Sequence, residues 1–553
     1  MQFSEFAIYL EKLEKTSSRL EITKILTDLF KETDSNEIDK VVYLSLGILA
    51  PNYEGVLLNL AERMMIRVVA KAFNTPEEKV LLNYKKEGDI GNVAQKLSNK
   101  SGNFSVTDVY ERLLLIAKDG GEGSADRKIE KMSDLLKNLD PMSARFVARI
   151  PVGKLRLGFS EKTILDALGA DEAAYNIHPD IGFIAKMVKE NKINKVEPVL
   201  GVPVVPMLAA RLNSTTEMIK KMGEVSVEPK FDGLRIFIHY KKPDFIKIFT
   251  RNMNAIDIYT FPELLTVGKY IKADEVILDT EAVGLDSERE GFLDFQKTIQ
   301  RRRKHDIAKN ATEIPLQFQV FDILLLNGKN LINLPYVERR SLLEKTVVNG
   351  GLLRVDENTI TDNADVITRL HKKYLGMGLE GVVVKKANAG YVSGRTGWNW
   401  VKMKEEEGKK GRLSDTLDCI VMGYFTGKGK RAQFGLGKIL VGIRDGDQIK
   451  TLTKIGTGLT EEMLVTIRKR IDKLEVKTMP KEYVAQKDLI PDVWAIPSLV
   501  VEVSADSISV STKHSLGLSL RFPRFLKIRE DKSVNDATTL KELVDLNRLF
   551  MKR

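Results

Sequence analysis

Near residue 200 the hydrophobic period of this chain changes, and no single small core accommodates both halves. Before that point apolar residues recur at helical spacing: Phe3, Phe6, Leu10 and Leu13, then Ile22, Ile25, Leu26 and Leu29. Residues 57–73, 109–118 and 128–139 continue the pattern, and strand-like alternation is almost absent. An all-helical region is therefore predicted for residues 1–200, closed by a proline-rich passage at 198–206. Beyond it the period falls to two. Residues 234–240 and 245–250 flank Lys241-Lys242-Pro243-Asp244, the pattern of a hairpin, and further strands are predicted at 276–283, 316–325, 381–386 and 398–404. Helical segments between them indicate an α+β region, 201–408, built on antiparallel sheets.

A charged, glycine-bearing run, Glu405-Glu406-Glu407-Gly408-Lys409-Lys410-Gly411, reads as a hinge. After it come short strands at 417–424, 438–443, 449–454, 498–504 and 507–510, with one helix at 460–474. That composition suits a small β-barrel of the oligonucleotide-binding (OB) type over 409–553.

Composition narrows the function classes. A chain of 553 residues exceeds one core, and a net charge of +11 points to a polyanionic partner. The single cysteine, Cys419, excludes a disulfide framework and a four-cysteine zinc module, which fits a reducing compartment. The longest apolar stretch, 41–50, is too short to span a bilayer, and the first residues carry no signal-peptide pattern, so a cytoplasmic protein is expected. No Gly-x-x-x-x-Gly-Lys-Ser/Thr run exists, which argues against a P-loop ATPase. The turns Gly120-Gly121-Glu122-Gly123-Ser124 and Gly153-Lys154-Leu155-Arg156-Leu157-Gly158 read on their own as ordinary helix connections, and they also suit contacts with phosphates that read no sequence.

The chemistry centres on Glu228-Pro229-Lys230-Phe231-Asp232-Gly233-Leu234-Arg235. A free lysine is protonated at neutral pH, so a lysine nucleophile needs a site that deprotonates and aims it. Asp232 is expected to orient Lys230, and Gly233 to admit a nucleotide close to the backbone. Downstream strands carry polar residues where apolar ones would pack better. Asp279 and Glu281 share a face, Glu380 opens a strand that Lys385 and Lys386 close, and Lys402 and Lys404 share a face. Converging carboxylates and lysines suit a nucleotide with Mg²⁺, and Phe321 offers an aromatic face for a purine.

Taken in order, these segments resemble the covalent nucleotidyltransferases, specifically ATP-dependent DNA ligases of the archaeal and eukaryotic replicative type. The resemblance runs through Phe-Thr-Arg-Asn (249–252), Asp-Thr-Glu-Ala (279–282), Phe-Asp-Ile-Leu (321–324), Glu-Gly-Val-Val-Val-Lys (380–385) and Trp-Val-Lys-Met-Lys (400–404). In the last region it includes Asp415-Thr416-Leu417-Asp418, Gly427-Lys428-Gly429-Lys430-Arg431, Lys454-Ile455-Gly456-Thr457-Gly458, and the run from Leu520 through Arg529, Glu530, Asp531 and Lys532.

The resemblance implies a helical DNA-binding domain, an adenylation domain and an OB-fold domain. It implies that Lys230 attacks the α-phosphorus of ATP, that Glu228 reads the adenine amino group, and that Phe321 stacks on the base. Arg235 and Arg251 would contact the ribose or the nick phosphate. Glu281 and Glu380 would serve ribose or a Mg²⁺ (or Mn²⁺) ion. Lys385, Lys402 and Lys404 would face phosphates, and Arg529, Asp531 and Lys532 would act on the pyrophosphate leaving group. Relatives place an arginine four residues before the tryptophan matching Trp400; here Thr396 stands there, and the role passes to Arg395.

The implied partner is nicked double-stranded DNA, contacted mostly along its backbone by a monomer of a nucleoid-associated prokaryotic protein, with roles in replication, repair and recombination. Some archaeal relatives carry a diaromatic sliding-clamp motif, of which residues 95–104 retain only Phe104. An RNA ligase or mRNA guanylyltransferase is the alternative within the superfamily. A non-catalytic DNA-binding protein is the alternative outside it.

Overall fold

The computed structural model describes all residues except 101, 103, 154, 287–290, 294, 303–306, 395–396, 405–415, 428 and 552–553, and a few side chains beside these positions. Arg395 and the hinge at 405–411 thus lie outside the described residues. The chain forms two compact units, Met1–Lys404 and Glu405–Arg553.

The first unit is helical from Phe3–Glu14 through Ile181–Lys189. Short polar side chains start several of these helices. Asp89 accepts the N–H groups of Gly91 and Asn92, and Asp140 those of Met142 and Ser143, with Pro141 at the first helical position. Phe3, Phe6, Leu10, Leu13, Ile22, Leu26 and Leu29 are buried in one core, as their spacing requires. The helix expected over 57–73 starts only at Glu62, because Asn59 sits at φ 55°, a left-handed conformation no helix continues through. Arg149 is carried into this core and pairs with Asp89 at 2.6 Å and Glu14 at 3.1 Å.

Two mostly antiparallel sheets follow. We label their main strands β1 (Val225–Pro229), β2 (Leu234–Lys241), β3 (Phe245–Thr250), β4 (Glu275–Gly284), β5 (Leu316–Leu326), β6 (Gly381–Lys386) and β7 (Trp400–Lys404). One sheet runs Ala210–Arg211, β7, β6, β1, Thr359–Thr361; the other is built on β3, β2, β4 and β5 in that order. The predicted hairpin is β2–β3, paired from Ile236 with Thr250 to Lys241 with Phe245. The proline-rich passage is packed against both parts. Val205 N–H donates to the Asn176 carbonyl at 2.8 Å, Gly201 N–H donates to His239 Nδ1 at 3.1 Å, and Tyr53 meets Phe249 edge-on at 6.3 Å.

The second unit is a curled antiparallel sheet, a half-barrel of the OB type. Its strands β8 (Leu417–Thr426), β9 (Leu436–Asp445) and β10 (Gln448–Ile455) form a meander; β11 (Val500–Ser504) covers the other edge of β8 and pairs with β12 (Arg524–Ile528). The helix Glu461–Asp472 intervenes as expected. Ser507–Val510, expected as a barrel strand, instead pairs only with Leu518–Arg521 in a separate ribbon. Its residues are at most half-buried, and Ile508 packs against the half-barrel core without its backbone joining the main sheet.

Candidate active site

β1 is buried at all five positions, and Lys230 is where the chain leaves it. The ladder between β1 and β6 extends one step past the strand: Lys230 N–H donates to the Gly381 carbonyl, and Glu380 N–H to the Lys230 carbonyl, both at 2.9 Å. That exchange holds Glu380 beside the lysine whatever the side chains do. Gly381, at φ 129°, faces Lys404 on β7, and a Cβ there would stand 2.2 Å from the Met403 carbonyl. The close approach brings a second lysine to the same acid. Glu380 Oε2 lies 2.8 Å from Lys230 Nζ and 2.6 Å from Lys404 Nζ. Burial raises the Glu380 carboxyl, but the two ammonium groups outweigh it and hold the group down at about 2.

The two sheets enclose a cavity of about 410 Å³. Cross-strand register sets its first wall, where Val383 faces both Glu228 and Lys402, and Lys385 faces both Ser226 and Trp400. The second wall carries Arg235 opposite Glu281 on β2 and β4, and Phe321 on β5. Glu228, Lys230, Arg235, Arg251, Glu281, Phe321, Lys385 and Lys402 all line this one space. Asp232, Glu380 and Lys404 are not in its lining; Glu380 is joined to it by its pairing with Lys230, and Lys404 by its pairing with Glu380. Gly233 lines the cavity and is also held tightly against β4, since a Cβ there would meet the Ala282 carbonyl at 2.3 Å.

The two ends of the cavity differ in chemistry. At one end Lys402 sits near Lys230, Lys404 and Arg251; burial and these like charges push its ammonium below the ordinary lysine value. A polyanion would relieve that repulsion. At the other end Glu228 is buried, with Oε2 2.5 Å from Lys385 and Oε1 accepting from Ser226 Oγ at 3.1 Å and from the Tyr336 hydroxyl. Lys385 Nζ also donates to the Phe321 carbonyl at 2.8 Å and lies 4.5 Å from the Trp400 ring centre. Arg235 is gripped by Asp279 at 2.9 and 2.6 Å, by the Met207 carbonyl at 2.7 Å and by Tyr391, which leaves few free N–H groups for a ligand.

Glu281 differs from the other acids. Burial outweighs the nearby Lys230 and Arg235 and pushes its carboxyl up to about 7, and no ion pair holds it among the described residues. A cation is what such a carboxylate lacks. No cluster of three or more His, Cys, Asp or Glu occurs among the described residues, yet Mg²⁺ takes only one or two carboxylates when phosphates and water complete its shell. The residues present therefore fit Mg²⁺ with a bound nucleotide.

Arg529, Asp531 and Lys532 belong to the second unit. Arg529 pairs with Asp531 at 2.6 Å and Asp418 at 2.9 Å, and Lys532 with the other Asp418 oxygen at 2.5 Å. Asp418 thus aims two cations at once. Phe104 packs under Arg112 at 4.6 Å, and its carbonyl accepts the Phe3 N–H, so it belongs to the helical core. Sequence reasoning missed Tyr336, Asp356 and Asp418 as site groups, and used Trp400 only as a motif anchor. No helix among the described residues is long and apolar enough to cross a membrane.

Comparison with known proteins gives three family models along the chain. They are described as DNA ligase N terminus over residues 2–169, ATP dependent DNA ligase domain over 206–404, and ATP dependent DNA ligase C terminal region over 432–532. A probable DNA ligase of Dictyoglomus thermophilum is 39% identical over 574 residues, covering 99% of this chain and 98% of the relative. DNA ligase 1 of Methanosarcina mazei is 36% identical, covering 99% of each. The solved structure Pmar-Lig_PreS3 aligns with 95% of this chain and 99% of its own at a TM-score of 0.52 and 19% identity, a likeness of fold.

Proposed function

The chain belongs to the ATP-dependent DNA ligase family, and from that premise we propose how its own residues carry the reaction. Lys230 is the nucleophile. Deprotonated, its amine attacks the α-phosphorus of ATP, the bond to the β-phosphate breaks, and pyrophosphate leaves a lysyl-AMP. The AMP then passes to the 5′-phosphate at a nick and frees Lys230. The neighbouring 3′-hydroxyl attacks that phosphate, AMP departs, and a phosphodiester remains. Each step is a displacement at phosphorus, in which positioning and charge neutralisation are the protein's contribution.

The observation that carries this reading is a single cavity whose lining joins Lys230, Lys402 and Arg251 to Glu228, Phe321 and Trp400. The base lies against Phe321 with its amino group at Glu228, and the phosphates lie among Lys402, Lys404 and Arg251. Lys385 acts on the nucleotide through Glu228. Arg235 shapes the wall beside the ribose, and Asp232 orients Lys230. Glu281, with Glu380 beside it, would hold Mg²⁺, which would supply charge neutralisation at the phosphates. Arg529, Asp531 and Lys532 act on the leaving pyrophosphate. Residues 1–200, 201–408 and 409–553 divide the work into DNA binding, adenylation and OB-fold functions, in a monomer that grips nicked duplex DNA mainly by its backbone.

A nicked duplex with one 5′-phosphate tests the reading. Sealing with ATP and Mg²⁺ is expected, lost on chelation and weakened steeply by salt. Glu281→Gln should raise the Mg²⁺ concentration needed for half-maximal self-adenylylation about tenfold, what a lost carboxylate ligand amounts to. Transfer of label from ATP to the protein, followed by sealing of nicked RNA alone, would favour the RNA-ligase alternative.

A further inference from the structure

The helix Tyr336–Thr346 buries an unusual face: Tyr336, Arg339 and Arg340 point inward with Leu343. Each of the three holds a group at the wall of the cavity. The Tyr336 hydroxyl donates to Glu228 Oε1. Arg339 grips Asp322, the neighbour of Phe321, at 2.8 and 3.0 Å. Arg340 donates to Asp356, which lines the cavity, at 2.7 Å. Val337 N–H bonded to the Ala387 carbonyl at 3.1 Å ties the helix end to the segment after β6. Tyr336 itself is not in the cavity lining.

We infer that Tyr336 is a positioning residue that sets nucleobase selectivity by fixing Glu228 as a one-directional acceptor. This rests on the assignment of Glu228 as the base reader. A carboxylate oxygen has two lone pairs, and Tyr336 and Ser226 occupy those of Oε1. Lys385 takes one side of Oε2. What remains is one acceptor position on a buried carboxylate. A 6-amino purine presents an N–H to it, whereas a 6-oxo purine presents lone pairs and is repelled. Without the phenol, the carboxylate loses a fixed orientation while Lys385 still neutralises it. Arg339 and Arg340 keep the helix in place, so the loss is confined to Glu228.

The test is single-turnover self-nucleotidylation with ATP and with inosine triphosphate, both labelled at the α-phosphate. Tyr336→Phe should raise the KM for ATP about tenfold, the worth of a hydrogen bond to a charged group, while leaving KM for inosine triphosphate and saturating kcat within about twofold. Selectivity for ATP then falls about tenfold. A purely structural role predicts parallel increases for both nucleotides, and that outcome overturns the inference. Glu228→Gln, whose amide can donate to a 6-oxo group, is run beside it. If it too leaves selectivity unchanged, the base-reading assignment fails; if it collapses selectivity while Tyr336→Phe does not, only the role of Tyr336 fails.

Discussion

Lys230→Ala is expected to lose self-adenylylation and nick sealing together, by about 10⁴-fold or more, as removal of a nucleophile does elsewhere. Binding to nicked DNA should persist, because contacts spread along a phosphate backbone do not depend on one side chain. Lys230→Arg should fail almost as badly, since a guanidinium stays protonated at any pH an assay can use. Neither variant should unfold the chain. Lys230 is about one-fifth exposed, and Glu380 keeps Lys404 at 2.6 Å, so the acid is not left unpaired in the mutant. A stability change of about 1 kcal/mol or less is expected by thermal melting. A stable phosphoramidate on either variant would show that the nucleophile is another residue.

The second large effect concerns Arg529 and Lys532. Replacing both by Ala should slow self-adenylylation about 100-fold or more, since cations that steady a leaving pyrophosphate act in that step alone. Sealing of a nick that already carries 5′-AMP should be largely spared, because no pyrophosphate departs there. Their ion pairs complicate the comparison. Both cations bind the half-buried Asp418, and Glu502 lies 3.7 Å from Arg529, so the double variant leaves two acids facing each other. A modest loss of stability in the second unit follows. Asp418→Asn added to the double variant relieves that repulsion without restoring charge. It should recover the melting temperature and leave the adenylylation defect intact. Equal damage to both reactions would instead make this segment a scaffold or a general DNA contact.

Much of this architecture is readable from the residue pattern. The helical period of Phe3 to Leu13 and the alternation of 234–240 report local packing, and both elements form where that packing demands. Asp279 with Glu281, and Lys402 with Lys404, fall on shared faces because strand geometry fixes them. What stays hidden depends on pairing between distant segments. Tyr336 and Glu228 are 108 residues apart, and a helix burying two arginines looks like a solvated surface helix in sequence. Asp418 and Lys532 meet across 114 residues. Some glycines carry a constraint of the same hidden kind. Gly233 and Gly381 are fixed by carbonyls of neighbouring strands, which only the sheet register reveals. Ser507–Val510 has the composition of a strand, yet composition does not say which edge it joins.

The central claim, that Lys230 carries the adenylate, is tested most directly by mapping it. The protein is incubated with ATP and Mg²⁺, digested, and its peptides are read by mass spectrometry. The account predicts one AMP per chain, on the peptide holding Glu228-Pro229-Lys230, bound by a linkage labile to acid and stable to base. An AMP on any other residue, or label entering from the γ-phosphate instead of the α-phosphate, would contradict it.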